Sequence, residues 1–210
     1  MLDVLPGILE QDFAKIQRKY NIVAPFVDFV HIDIVDGVLF DNTTFDDPEP
    51  FSKLKSPPKK ELHMMVERPQ DIVDIWIEAG FDRLIGHIEG IQDAESFIDA
   101  VSLQSAEVGL ALDIDTPVSV IKEYIDIVDV VLLMAIETGF SGQEFDHRVL
   151  NKIHEVREIN DIVPIEIDGG INHDTAELVA EAGATRVVST SYVFGAENPE
   201  EAIRKLARFG

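Results

Sequence analysis

The chain has 210 residues, 46% of them hydrophobic and 27% charged, which is long enough for one sizeable core and ordinary for a folded globular protein. Its 17 basic and 40 acidic residues give a formal net charge of −23, a field that repels nucleic-acid backbones and anionic lipid, so neither is expected as a partner. With no cysteine there is neither a disulfide nor a thiolate ligand, and any metal must sit on His, Asp or Glu.

The N-terminal "MLDVLPGILEQDF" carries acids where a signal peptide needs basic residues, and no apolar run approaches the roughly 18 residues of a membrane span. A cytoplasmic protein without a membrane partner is expected. The first apolar run, "VLPGIL", leads into the amphipathic "EQDFAKIQRKYNIV", and this strand-then-helix unit recurs along the chain. "FVHIDIV" is the second strand. The proline-rich "DNTTFDDPEPFSKLKSPPKK" after it reads as a long loop holding at most a short helix. Further strands are expected at "ELHMMV", "RLIGHI", "EVGLALDI", "VDVVLLMAI", "PIEIDGG" and "TRVVSTS". The helices expected between and after them are "PQDIVDIWIEAG", "DAESFIDAVSL", "PVSVIKEYIDI", "HRVLNKIHEVREI", "HDTAELVAEAG" and "NPEEAIRKLARF". Eight nearly continuous apolar strands, each followed by a helix, predict a parallel α/β sheet closed into a (β/α)8 TIM barrel, with residues 1–210 as a single domain. An open doubly wound sheet is the alternative. No glycine-rich dinucleotide fingerprint follows any strand, and polar residues recur at strand C-terminal ends, so the barrel is preferred.

Side chains alternate along a strand, so Phe29, His31, Asp33 and Val35 share one face while Val30, Ile32 and Ile34 share the other. With the apolar face against the helices, His31 and Asp33 point into the barrel near its C-terminal mouth, where barrel enzymes place their sites. His63 and Met65 share a face in the third strand, and Glu166 and Asp168 in the seventh. Two imidazoles and two carboxylates suit Zn²⁺, Fe²⁺ or Mn²⁺; a hydrogen-bonded polar core is the plainer alternative, weakened by the expense of burying two acids without a cation. His87 and Glu89 are inward too and suit a supporting role. The glycine-containing "GFSGQEF" and "IDGGIN", with "STS" at 189–191, follow strands six, seven and eight. Their joint placement suits an anion cradle, although glycine also serves simple tight turns.

Five ordered segments, "HIDIVDGVLFDNTTF", "HMMVERP", "GFSGQEF", "IEIDGGIN" and "VVSTSYVFGAENPEEAI", resemble the motifs of the ribulose-phosphate 3-epimerase family nearly end to end. The resemblance implies an isomerase that inverts C3 of a ketose phosphate. It implies His31, Asp33, His63 and Asp168 as ligands of a divalent Zn, Fe or Mn ion, and Asp33 and Asp168 as the acid/base pair. Gly7, Met65, Met134, Ser141, Gly142, Gly169, Gly170, Thr190 and Ser191 fall at substrate- and phosphate-contacting positions. A phosphorylated ketose is the implied substrate, and a homo-oligomer is expected.

The chain also departs from the family pattern. Gly7 stands where a serine hydroxyl would meet substrate, Val35 replaces a methionine, and Asp41 stands in place of a proline. Glu137 and Thr138 replace Asn/Asp-Pro, and Thr190 replaces a phosphate-loop glycine. Metal and acid/base positions persist while substrate-contacting ones differ, as in an epimerase relative with a changed sugar phosphate. A non-catalytic sugar-phosphate-binding barrel is the alternative. A decarboxylase of the related barrels ranks last, because "HIDIVD" offers no lysine beside its aspartates.

Overall fold

Eight parallel strands close on themselves in chain order: β1 (Asp3–Ile8), β2 (Phe29–Val35), β3 (Lys59–Met65), β4 (Arg83–His87), β5 (Glu107–Leu112), β6 (Val130–Met134), β7 (Ile165–Asp168) and β8 (Arg186–Ser189), with β8 returning to β1. The computed structural model describes residues 1–54, 56–140 and 142–210. The expected (β/α)8 barrel is therefore the observed one.

The strands form where the apolar runs lie because both faces are covered. Val30, Ile32 and Ile34 of β2 are buried against the helical layer, while Ile85, Ala111, Val130, Leu132, Met134 and Ile136 make an apolar wall inside the barrel along β4 to β6. The inward polar groups gather mainly on β2, β3 and β7. Parallel register then sets their heights: His31 is level with Gly7, Asp33 with His63, and Asp168 with Met134.

Four of the seven α-helices among the described residues start at a side-chain cap. Asp12 accepts the Ala14 N–H at the head of α1 (Phe13–Val23), and Asp93 caps α3 (Ala94–Ser102). Asn172 and Thr175 form a capping box on α5 (His173–Ala182), which ends at Gly183 with φ 112°. The shorter α2 (Val73–Glu78) and α6 (Ser191–Phe194), with α4 (Val149–Ile159) and α7 (Pro199–Leu206), complete the layer.

The segment 117–127, expected as a helix, is instead a 3-10 turn at Val118–Ile121 followed by further turns. Its hydrogen bonds run three residues back, as in Val120 N–H to Pro117 O and Tyr124 N–H to Ile121 O. Val118, Ile121 and Ile125 are buried, so the spacing that mimics a helical stripe is satisfied by tight turns. The β-branched residues there add little preference for the α form.

The proline-rich loop holds only a 3-10 turn, Glu49–Lys53, whose Phe51 is fully buried. The Phe51 ring packs edge-on to Phe13 and Trp76 and against Phe81, filling the gap between α1 and α2 that a helix would occupy in a regular barrel. Phe51→Ala should therefore lower unfolding free energy in urea by about 3–5 kcal/mol, as for other fully buried aromatics. A loss below about 1 kcal/mol would show that the loop is not part of the core.

Candidate metal centre and active site

At the C-terminal mouth, β2 carries His31 and Asp33, β3 carries His63 and β7 carries Asp168. One ligand atom from each lies within 4.8 Å of all the others. Asp33 Oδ1 is 3.1 Å from His31 Nε2 and 2.9 Å from His63 Nδ1. Asp168 Oδ2 is 3.9 Å and 3.7 Å from the same two nitrogens. A tetrahedral ion with ligand bonds of about 2.0–2.2 Å separates its ligands by about 3.3–3.6 Å. The four donors already stand near those separations, and the set fits a divalent cation.

Electrostatics support the same conclusion. Burial alone would lower the pKa of His31, but Asp33, Glu166 and Glu61 around it hold it well above its ordinary value. A field that retains a proton there also favours a cation. Asp33 is pulled well below the usual carboxylate range: burial would raise it, but the charge of His31, then the hydrogen bonds to His31 and His63, outweigh that. Asp168 is pushed up to about 6, by burial first and then by the charge of Asp33.

Both histidines are held from behind. His31 Nδ1 is 2.6 Å from Glu61 Oε1, and Glu61 Oε2 in turn accepts from Arg83 Nη1 at 2.5 Å. Arg83 also donates to Glu107. His63 Nε2 is 2.8 Å from His87 Nε2, and His87 Nδ1 is 2.9 Å from Glu89 Oε2. If His63 presents an unprotonated Nδ1 to a metal, its Nε2–H donates to His87, whose Nδ1–H donates to Glu89. That chain leaves His87 neutral, in keeping with burial pushing its pKa down.

Strand alternation puts Glu166 and Asp168 on one face, and the family resemblance singles out Asp168; the structure sets the two at different depths. Asp168 stands on the Nε2 side of His31, whereas Glu166 sits deeper, 3.4 Å from Nδ1, in a second group with Glu61. Two residues along a strand is a drop of about 6–7 Å, enough to take Glu166 out of the mouth. Neither of its buried carboxylate oxygens has a hydrogen-bond partner among the described residues. Burial, then the charge of Glu61, pushes its pKa up to about 8.

Met65, Met134 and Thr190 line a small cavity together with Asp33 and Asp168. Gly7 lies at the end of β1 beside it. Gly169 and Gly170 follow β7 with φ of 109° and 65°. A side chain at Gly170 would come within 2.8 Å of the Phe145 backbone, so glycine is required for the β6 loop to pack there. Gly142, φ 86°, has open space around it, and Ser191 begins α6 on the exposed rim. Ser141 lies outside the described residues. Thr138 donates to Asp113 Oδ2 at 2.6 Å and pins the base of the β6 loop, while Asn42 donates to Gly139 O and ties the β2 and β6 loops across the mouth.

Glu61 and Arg83 were not singled out from sequence. The signal for Glu61 was present, since it is two residues before His63 on the same strand face. Arg83 could not be found that way, because its partnership depends on the β3–β4 register that sets it beside Glu61.

A closed parallel barrel with a His–Asp–His–Asp cluster at the C-terminal mouth of its strands has the architecture of a barrel enzyme. The chain matches the model of the ribulose-phosphate 3 epimerase family over residues 3–194 and belongs to that family, so it is an epimerase-type isomerase. It is 36% identical to the ribulose-phosphate 3-epimerase of Bacillus subtilis (strain 168), with 98% of each chain covered. It is 34% identical to that of Mycobacterium leprae (strain TN), covering 98% of this chain and 93% of the relative. Among solved structures it resembles 3-keto-L-gulonate-6-phosphate decarboxylase from Vibrio cholerae, with TM-score 0.73 at 15% identity, covering 100% and 98% of the two chains. It also resembles 3-hexulose-6-phosphate synthase from Salmonella typhimurium, with TM-score 0.72 at 16% identity, covering 99% and 97%. These two likenesses are of fold. Among the described residues, no helix is long and apolar enough to cross a membrane.

After chelator treatment, titration with Zn²⁺ or Mn²⁺ should show about one tight ion per chain, lost in Asp168→Asn. Glu61→Gln should weaken that binding by roughly 10–100-fold, as for other groups that orient a ligating histidine. Unchanged affinity in Glu61→Gln would remove Glu61 from that role.

Proposed function

We propose that this chain inverts C3 of a phosphorylated ketose, interconverting D-ribulose 5-phosphate and D-xylulose 5-phosphate or a related pentulose or hexulose phosphate pair. The observation that carries this reading is the convergence of His31, Asp33, His63 and Asp168 on one point at the barrel mouth. Membership of the epimerase family and the names of its relatives support the reaction class.

Epimerisation beside a ketone removes a proton from one face of C3 and returns one to the other, which requires two proton-transfer groups on opposite sides. Asp33 and Asp168 come from β2 and β7, separated around the rim by β1 and β8, and so approach a bound substrate from different strands. One takes the C3 proton and the other delivers a proton to the opposite face of the enediolate. His31 Nε2 and His63 Nδ1 flank Asp33 Oδ1 and are the two ring nitrogens that would turn to a bound ion. A Zn, Fe or Mn ion held by the four donors would stabilise developing negative charge on the substrate oxygens as a Lewis acid. Met65 and Met134 provide polarisable contact without competing donors. The phosphate is assigned to the backbone at Gly142, Gly169, Gly170, Thr190 and Ser191, whose N–H groups must offset the −23 charge of the chain.

The metal-loaded protein incubated with D-ribulose 5-phosphate or D-allulose 6-phosphate in D₂O should incorporate deuterium at C3, followed by NMR. Asp33→Asn and Asp168→Asn should each slow exchange by about 10²–10⁴-fold, the usual range for losing a proton-transfer group. Binding of both sugars without exchange in the wild type would indicate a sugar-phosphate-binding barrel instead.

A further inference from the structure

We infer that Thr190 supplies, from β8, a substrate-reading hydroxyl that occupies the space of a side chain at position 7, and that Gly7 is the residue that makes room for it. This rests on the function proposed above. β1 and β8 close the barrel, and their register pairs Pro6 with Ser189, so one step further sets Gly7 beside Thr190. A Cβ built on Gly7 would lie 2.5 Å from Thr190 Oγ1 and 2.7 Å from Val188 Cγ1. Gly7 has a φ that any residue adopts, so no backbone constraint calls for glycine there; the crowding does. The two positions hold one side chain between them.

The hydroxyl is also unspent. Thr190 makes no capping bond to α6, its backbone oxygen accepts from Phe194 N–H, and Oγ1 has no hydrogen-bond partner among the described residues. It is only partly buried and lines the cavity of Asp33, Asp168, Met65 and Met134. The two methionines offer no donor, so Oγ1 is a neutral group there able both to donate and to accept. Thr190 shares its cavity with both proton-transfer carboxylates, which points its hydroxyl to a hydroxyl or carbonyl of the sugar, the phosphate being assigned to backbone N–H groups. The departures from the family pattern at positions 7 and 190 are then a single exchange across the β1–β8 seam.

Thr190→Val keeps the shape and removes only the hydroxyl. It should raise KM for D-ribulose 5-phosphate roughly tenfold, the usual scale for one neutral hydrogen bond. Inhibition by inorganic phosphate should stay within about twofold, and Thr190→Ser should behave like wild type. An unchanged KM in Thr190→Val overturns the inference, as does an equal loss of phosphate inhibition, which would assign the hydroxyl to the phosphate. The steric half is read separately from Tm: Gly7→Ala should be costly beside Thr190 and markedly less so beside Thr190→Gly, with the Val188 contact common to both backgrounds. Equal losses overturn it. If the wild type shows no exchange at all, the proposed reaction fails. The same variants compared by calorimetric titration with D-ribulose 5-phosphate then still decide the role of Thr190.

Discussion

One carboxylate oxygen organises the barrel mouth. Asp33 Oδ1 stands within hydrogen-bond distance of both His31 and His63, joining β2 to β3 at the height where their register also pairs Asp33 with His63. The two imidazoles that flank that oxygen need fixed tautomers, so Glu61 and Arg83 stand behind one and His87 and Glu89 behind the other. Asp168 faces the same point from β7 without an equivalent donor, and the two acids are driven to opposite ends of the carboxylate range. Buried charge of this density is unfavourable unless a cation completes it.

The apolar parts of the structure make that arrangement rigid. Inside the barrel, β4 to β6 contribute an apolar wall of Ile85, Ala111, Val130 and Leu132, whose side chains offer the polar cluster no hydrogen-bonding group. Outside, the helical layer is interrupted after β2 and β5, where 3-10 turns replace helices. Phe51, Val118 and Ile121 fill those gaps with side chains instead of helical turns. The long loop after β2 thus has two jobs: its far part closes the core, and its near part, through Asn42, reaches across the mouth to the β6 loop.

The departures from the family pattern are of different kinds. Thr138 has a structural use, because its hydroxyl anchors the β6 loop to Asp113. Thr190 and Gly7 are coupled by simple volume, two strands sharing room for one side chain. Neither change disturbs the His–Asp–His–Asp cluster, which is why proton-transfer chemistry and substrate contacts can vary independently on one scaffold.

Much of this was legible in the residues in order. Alternation along "FVHIDIV" determined which side chains face inward, and eight apolar runs with covering segments determined a closed parallel barrel. Those are local properties, set by the two-residue period of a strand and by the need to bury both faces of the sheet. The segment 117–127 misled because burial at Val118, Ile121 and Ile125 is satisfied equally by a helix or by successive tight turns, and periodicity does not distinguish them. What only the tertiary structure decided were relations between strands: the depth that sets Glu166 below Asp168, Arg83 on Glu61, and Thr190 over Gly7. Each depends on register and depth across hydrogen-bonded neighbours far apart in the chain, and a linear sequence carries no measure of either.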